Sequence, residues 1–176
     1  MVKLTKKEIE IANATSRSGG AVGAKALVPK LVRDMLRMEP GRTRKKILDY
    51  GAGKHATHAG MLRWDEGLHV TAYEMGANFD PERHDADALK RTYDVVYASN
   101  VLNTLASRRA ITGTITEIRA AVDGVVWAFA VVNYPDEPRK CDITTDEMRR
   151  MLERRFRKVE RSKISPANRP VWVCWP

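Results

Sequence analysis

The sequence predicts an α/β fold in which a doubly wound, mostly parallel sheet is covered by helices on both faces. Short runs rich in β-branched and aromatic residues alternate with stretches of helical periodicity, which is typical of parallel sheets. These runs are apolar at consecutive positions, as expected of strands buried on both faces. The last two runs are separated only by the segment PAN, and so short a connection makes paired strands antiparallel. We therefore expect an antiparallel hairpin at one edge of the sheet.

Six segments have the composition of strands. In chain order they are Lys46–Tyr50, His69–Met75, Tyr93–Ser99, Val125–Val132, Arg157–Ser165 and Arg169–Trp175. The first four are predicted to be parallel, and the last two form the C-terminal hairpin.

Four stretches are predicted to be helices, namely Ala26–Met38, Ala56–Trp64, Val101–Val122 and Thr144–Phe156. The last is the most clearly marked. Thr144 and Glu147 fit a capping box, acids lie in the first turn and arginines in the last, and apolar residues recur at helical spacing. The helices fall between the strands, as a doubly wound sheet requires.

Composition indicates a soluble globular protein, with 30% charged and 43% apolar residues in 176. We expect one domain over residues 26–176, preceded by a flexible basic segment over residues 1–25. No apolar run approaches the roughly 20 residues of a membrane span, and no signal peptide is visible. Only two cysteines, Cys141 and Cys174, are present, which argues against a disulfide scaffold or a Cys-rich zinc site. The expected location is cytoplasmic, and no metal site is predicted.

The segment KKILDYGAGKHATHAGML, Lys45–Leu62, ends the first strand with two glycines and opens a helix. Glycine permits left-handed backbone and close approach of a ligand, and ligands of open α/β sheets bind beyond the carboxyl ends of the strands. A Walker phosphate loop does not fit, because Leu48 stands where the first glycine is needed and His55 replaces the magnesium-binding hydroxyl.

A dinucleotide site fits better, since residues 51–56 match G-x-G-x-x-A and Glu74 ends the next strand. On this interpretation the chain is an NAD-binding protein, either a small oxidoreductase or a redox sensor. Two features favour a different nucleotide cofactor. Asp49 extends the motif to D-x-G-x-G, and the chain is expected to hold one small sheet without the second half of a dinucleotide fold.

The motif Asp49-Tyr50-Gly51-Ala52-Gly53 is followed by Glu74, by HDADAL (His84–Leu89) and by YDVVYASNVLNTL (Tyr93–Leu105). In order and spacing this set resembles the class I S-adenosylmethionine-dependent methyltransferases, over about Lys45 to the C-terminus. The resemblance implies a seven-stranded sheet, methyltransferase activity and S-adenosylmethionine as cofactor.

The resemblance also implies roles for individual residues. The turn of Asp49, Gly51, Ala52 and Gly53 would carry the amino-acid end of the cofactor, and Glu74 would bind the ribose hydroxyls. Asp85, or else Asp87, would bind the adenine amino group, and Asn100 would lie near the cofactor. A carboxylate suits a ribose because it accepts two charge-assisted hydrogen bonds.

No general base is identified by the sequence. The candidates for a catalytic role are Asn100, at the end of a strand, and Tyr134 and Asp136, in a loop where this fold builds part of its substrate pocket. Arg17, the cation nearest the Gly19–Gly20 hinge, is the candidate for the cofactor carboxylate. The surrounding glycine-rich stretch is either a flap that closes over the cofactor or a flexible leader. A non-catalytic interaction module on a methyltransferase scaffold is a further alternative.

The net charge of +9 predicts an anionic partner. Basic residues cluster in Gly41–Lys46 and in Arg149–Lys158, and such patches suit nucleic acid or an acidic protein surface, although a solvated face without a partner has the same composition. Nucleic acid is slightly favoured as methyl acceptor over a small molecule or a protein side chain. DNA-methylating members of the resembled class that act on amino groups commonly carry an Asn/Asp-Pro-Pro-aromatic motif after the fourth strand. This chain has SNVLN there, which argues against methylation of adenine N6 or cytosine N4.

Overall fold

A computed structural model describes residues 4–18, 27–38, 46–66, 68–136 and 139–176. The helices are α1 (Lys6–Ser18), α2 (Leu27–Arg37), α3 (Thr57–Glu66), α4 (Arg108–Ala121) and α5 (Thr145–Glu153). The strands are β1 (Lys46–Tyr50), β2 (His69–Tyr73), β3 (Val95–Ala98), β4 (Phe129–Asn133), β5 (Lys158–Arg161) and β6 (Val171–Trp175). Short 3₁₀ turns cover Gly76–Asn78, Ala88–Lys90 and Leu102–Thr104.

The described strands form one mixed sheet in the order β2-β1-β3-β4-β6-β5. Strands β1 to β4 are mutually parallel, whereas β6 runs antiparallel to both of its neighbours. Apolar cores lie on both faces, one formed with α4 and α5 and the other with α2 and α3. The predicted α/β class, with helices on both faces of a mostly parallel sheet, is confirmed.

The connections place a functional edge at the carboxyl ends of the parallel strands. The chain leaves β1 for β2 on one side and then crosses to β3 on the other side. Strand order therefore reverses at β1, and open α/β sheets bind ligands in the crevice at such a point. The residues that follow β1, β2 and β3 at this edge include the glycine turn, Glu74 and Asn100.

Several predicted boundaries differ from the structure. A seventh strand is not found in the described residues, because the segment DPERHDAD after β2 is too polar for a strand and folds into turns. The helix predicted over Val101–Val122 starts only after Ser107, whose side chain accepts a hydrogen bond from Ala110 N. Strands β5 and β6 are joined by residues 162–170, a longer connection than the predicted turn.

Helix α1 covers residues that were expected to be flexible. Thr5 and Glu8 form reciprocal side-chain to backbone hydrogen bonds at its start, a capping box that fixes the first turn. Residues 1–3 and 19–25, with the Gly19–Gly20 hinge, lie outside the described residues, and flexibility over residues 1–25 stays a prediction. Within the described part of the chain, no helix is long and apolar enough to cross a membrane.

Candidate cofactor site

The glycine turn after β1 has the backbone that its sequence predicts. Gly51 and Gly53 have φ angles of +72° and +71°, in the left-handed region that L side chains avoid. The Gly51 and Ala52 amides donate to the carbonyl of Tyr73, at 2.9 and 3.0 Å, and so close the turn against the end of β2. A Cβ atom on Gly51 would lie 2.5 Å from Cγ2 of Val101. Both backbone angle and space therefore require glycine at position 51.

Glu74 is buried beside this turn, with 8% of its surface exposed. Its Oε2 accepts from the Gly53 amide at 2.6 Å, and its Oε1 accepts from the Met75 amide at 2.8 Å. Each carboxylate oxygen has about two acceptor positions, so one position on each oxygen is left for a ligand. Burial raises the pKa of Glu74, and the two backbone hydrogen bonds act in the opposite direction.

His84 holds the turn from the other side. Its Nε2 lies 2.9 Å from the Gly53 carbonyl oxygen, and its Nδ1 accepts from the Asp80 amide at 2.9 Å. The neutral tautomer with hydrogen on Nε2 satisfies both contacts. Gly53 is thus fixed through its N–H by Glu74 and through its carbonyl by His84. The sequence did not single out His84 as a site residue, because its contact is with Gly53, which is 31 residues away in the chain.

Asp49 adds a second buried carboxyl group at the end of β1, with 1% of its surface exposed. Burial and, to a smaller extent, the negative charge of Glu74 raise the pKa of Asp49 to about 7, although the nearby Tyr97 hydroxyl opposes the shift. Oδ2 of Asp49 and the hydroxyl of Tyr97 both lack a partner with hydrogen-bonding geometry. The neighbourhood of the turn therefore carries an excess of buried acid, which a cation would neutralise.

Asn100 follows β3 and pairs with a residue that sequence reasoning missed. Asn133, at the end of β4, accepts from the Asn100 amide at 2.6 Å and donates from Nδ2 to Asn100 Oδ1 at 2.8 Å. Asn100 has φ +58°, which Asn tolerates better than most residues. The next residue, Val101, is the one that packs on Gly51. The Asn pair thus fixes the loop that closes the turn, and the only sequence indication of it was a polar residue ending the apolar strand FAVVN.

The predicted adenine-binding acids lie at the surface. Asp85 pairs with Arg91 and accepts from the Asp87 amide at 2.8 Å. Desolvation raises the pKa of Asp85, but these hydrogen bonds outweigh it and lower the pKa below its ordinary value. The Asp85 amide donates to Ala72 O at 2.9 Å, which holds this loop beside β2. Asp87 is exposed and pairs with Lys90 at 2.8 Å.

The structure places Tyr134 in the core rather than in a pocket lining. Its side chain is fully buried, and its hydroxyl donates to the Cys141 carbonyl at 2.9 Å. Burial raises the pKa of Tyr134 to about 12, and the Arg139 guanidinium lies 4.4 Å from its ring centroid. Asp136 is exposed and pairs with the same arginine. Both side chains stabilise the loop after β4, and neither is brought to the glycine turn, because backbone hydrogen bonds hold this loop on residues 168–170 and on the carbonyl of Asn103.

Helix α1 packs across the carboxyl edge. Gly76, just after Glu74, has φ +69°, and a Cβ there would lie 2.4 Å from Ile9 Cγ2 and 2.5 Å from Asn13 Nδ2. Glu8 anchors the helix by accepting from Ser107 Oγ at 2.7 Å and by pairing with Arg109. The helix therefore covers the side of the site next to Glu74. Arg17 belongs to α1, but its side chain lies outside the described part of the structure.

Among the described residues, no group of three or more His, Cys, Asp or Glu side chains is placed to hold a metal ion. The polar groups at this edge are thus acids, amides and backbone N–H groups around a glycine turn. Such an arrangement suits a ligand with hydroxyl groups and positive charge.

Comparisons with known proteins agree on the fold. No protein-family model matches the sequence, and no curated protein matches it either. Among solved structures, a TehB-like SAM-dependent methyltransferase from Corynebacterium glutamicum is similar with a TM-score of 0.62 and 17% identity, covering 97% of this chain and 99% of its own.

Two further structures contain the cofactor or its product. The 1,6-didemethyltoxoflavin-N1-methyltransferase of Burkholderia thailandensis, with S-adenosylhomocysteine, has a TM-score of 0.60 and 15% identity, over 98% of this chain and 90% of its own. Magnesium protoporphyrin IX methyltransferase from Synechocystis, with bound SAM, has a TM-score of 0.56 and 12% identity, over 99% and 86%. The chain has the class I Rossmann-like methyltransferase fold.

Proposed function

We propose that this chain, with its methyltransferase fold, binds S-adenosylmethionine at the glycine turn and transfers its methyl group to a small molecule. The observation that carries the proposal is the pair of buried carboxyl groups, Asp49 and Glu74, beside two left-handed glycines at the strand-order switch. The pKa of Asp49 is raised to about 7, because burial and, less strongly, repulsion by Glu74 disfavour a negative charge on it. A ligand with a sulfonium and an ammonium group relieves that repulsion.

The residues present fit the parts of such a cofactor. Glu74 keeps an acceptor position on each carboxylate oxygen for the two ribose hydroxyls, because each oxygen takes only one backbone hydrogen bond. Gly51 and Gly53 leave the backbone open to the amino-acid end. Asp85, on the loop beside β2, can accept a hydrogen bond from the adenine amino group once its ion pair with Arg91 is broken. When bound, the cofactor supplies an activated methyl group, and the protein's task is to align the acceptor and exclude water.

We expect an acceptor to approach the cofactor past Asn100 and Asn133. Asn100 follows β3 and Asn133 ends β4, at the same edge as the glycine turn, and their side-chain amides bond to each other. We assign Asn133 as a positioning residue that holds Asn100 and Val101 against the turn. The complete burial of Tyr134 argues against a direct role for it.

The nicotinamide alternative is less well supported. A dinucleotide would place the two negative charges of its pyrophosphate next to the glycine turn, where Asp49 and Glu74 already repel each other. The comparison structures described above are methyltransferases. A non-catalytic module on this scaffold would retain the glycine turn but would have no need of a buried acid with an elevated pKa.

The same comparisons support a small molecule as the acceptor we propose. The acceptors named for two of the similar structures are 1,6-didemethyltoxoflavin and magnesium protoporphyrin IX, which are small molecules. They give no support to the sequence-based preference for nucleic acid as acceptor. Labelled methyl transfer from S-adenosylmethionine to RNA, DNA, protein and metabolite fractions of a lysate assigns the class, and we expect label in the metabolite fraction. Label confined to a macromolecular fraction would overturn the small-molecule assignment.

Calorimetry tests cofactor binding itself. We expect S-adenosylmethionine to bind with a dissociation constant in the micromolar range and NADH to bind weakly or not at all. Glu74→Ala removes two charge-assisted hydrogen bonds, each about 1.5 kcal/mol or more, and should weaken binding at least about 100-fold. The exposed Glu82 provides the matched control, and Glu82→Ala should bind like the unmodified protein. Tighter binding of NADH than of S-adenosylmethionine would overturn the proposal.

A further inference from the structure

One region of the described chain carries a dense cluster of exposed positive charge. Residues 149–169 contain nine Lys or Arg and two Glu, a net charge of +7 in a chain whose total is +9. All nine basic side chains are exposed. We call them the basic strip: Arg149, Arg150, Arg154, Arg155, Arg157, Lys158, Arg161, Lys163 and Arg169. Because they are close in sequence and in the fold, their fields add.

The basic strip follows the edge of the sheet. It begins in α5, continues along β5, which is the edge strand, and ends in the connection to β6. In the antiparallel pairing of β5 with β6, Lys158 is opposite Trp175 and Arg161 is opposite Trp172. The part of the basic strip that lies on β5 is therefore about 10 Å long. Val171 lies opposite Asn133, which places the connection, with Lys163 and Arg169, at the same edge of the sheet as the candidate cofactor site.

Few acids compensate this charge. Glu153 pairs with Arg149, and Glu160 pairs with Lys158, each at 2.8 Å, and these are the two Glu residues of the region. Exposed ion pairs of this kind are weak and are easily exchanged for another anion. Arg149, Arg161 and Lys163 line one groove of about 620 Å³, whose other lining residues are Val159, Glu160, Ser162 and Val173. The groove gives the strip a concave segment in which cations converge.

The side-chain chemistry favours phosphate over a protein surface. Seven of the nine cations are Arg, whose planar fork binds phosphate oxygens in pairs. A protein interface normally has an apolar or aromatic centre, but Phe156 is buried and Ile164 is the one large apolar side chain of this region that is well exposed. The Trp175 ring is half-buried, with Lys158 Nζ 4.7 Å from its centroid, so it offers no open platform for base stacking.

We propose that the basic strip binds the phosphate backbone of nucleic acid without sequence preference. The proposal does not depend on methyltransferase activity, because the strip and the glycine turn share no residue. Four strand spacings separate β1 from β5, about 19 Å, so one ligand can occupy each. Binding rests on phosphate contacts and the release of counterions, and it is therefore steeply dependent on salt.

Fluorescence anisotropy with labelled oligonucleotides of about 20 nucleotides tests the proposal. Single-stranded RNA, single-stranded DNA and duplex DNA are titrated separately over a range of salt concentrations. If roughly six of the nine cations contact phosphates, log K should fall with log salt with a slope of about −4.2 for single strands and about −5.4 for duplex. The substitution set R149Q/R161Q/K163Q should reduce the single-strand slope by about 2. Random-sequence and homopolymer probes of the same type should bind alike.

A charge-matched control distinguishes the effect of the basic strip on binding from the effect of the protein's net charge. K6Q/K7Q/K30Q removes three exposed cations elsewhere on the protein and should leave affinity and slope nearly unchanged. Because Arg161 also donates to the carbonyls of Pro166 and Ala167, a second strip variant, R150Q/R154Q/R157Q, guards against a local folding defect and should show the same loss. Equal effects of strip and control variants, or a preference for polyglutamate over nucleic acid, would overturn the proposal.

Discussion

Substitution of Asp49 by Asn tests the claim that the site is destabilised by its own buried acid. Burial and Glu74 raise the pKa of Asp49 from an ordinary 3.8 to about 7 in the native state. The native protein therefore keeps a proton that the unfolded chain releases between about pH 4 and pH 7. The contribution of Asp49 to the free energy of unfolding must fall as pH rises through that window. Asn cannot ionise, so the variant lacks this dependence.

The magnitude follows from the same two values. A difference of roughly three pKa units corresponds to about 4 kcal/mol of stability lost by about pH 8. The Asn side chain itself lowers the free energy of unfolding by about 1–3 kcal/mol. Oδ2 of Asp49 has no partner, so an amide nitrogen in its place has only the Tyr97 hydroxyl as an acceptor. We expect Asp49→Asn to be more stable than the unmodified protein by about 1–3 kcal/mol at about pH 8, and less stable by a similar amount at about pH 4.

Urea denaturation followed by circular dichroism, repeated at several pH values, measures this difference. The half-exposed Asp34, on α2, supplies the control, and Asp34→Asn should shift stability little at any pH. The reasoning is refuted if Asp49→Asn is no more stable than the unmodified protein at about pH 8, or if the difference does not change sign as pH is lowered.

Three further substitutions test other parts of the edge by the same denaturation assay. Gly51→Ala should lower the free energy of unfolding by about 2–5 kcal/mol, because a left-handed alanine and its close contact with Val101 are both strained. Adding Val101→Ala should recover part of this loss; no recovery would contradict the contact. Asn133→Ala should cost about 2–4 kcal/mol, since two polar groups of Asn100 lose their partner; a cost below about 1 kcal/mol would contradict the pairing. Glu8→Ala should cost about 1–3 kcal/mol near neutral pH. Because hydrogen bonds from Thr5 and Ser107 lower the pKa of Glu8 to about 2, this deficit should persist to about pH 4 and vanish only as pH falls towards 2; a deficit that grows on acidification would contradict the anchor.

The sheet and the turn were predictable from local sequence. β1 covers Lys46–Tyr50, as the apolar run predicted, and the capping box of Thr144 and Glu147 is present. Gly51, Gly53 and Glu74 lie together because strand ends of a parallel sheet meet at one edge. These features depend on residues close in sequence or on a general rule of topology, so one sequence is enough to find them.

Features that depend on distant partners were not predictable in this way. Asn100 and Asn133 are 33 residues apart, and His84 reaches the carbonyl of Gly53 across a turn. The helix over Lys6–Ser18 could have been recognised from Thr5 and Glu8, which have capping-box spacing, but its apolar face is weak. Tyr134 was assigned to a pocket from its place after a strand, whereas the loop folds its side chain inwards.

The central claim is that Glu74 receives the ribose of an adenosyl cofactor at the glycine turn. A crystal structure of the protein with S-adenosylhomocysteine tests it most directly. We predict density in which both ribose hydroxyls lie about 2.6–3.0 Å from the Glu74 carboxylate oxygens, with the amino-acid end against Gly51 and Gly53. A ligand bound elsewhere on the protein, or bound at this edge with its ribose away from Glu74, would contradict the account.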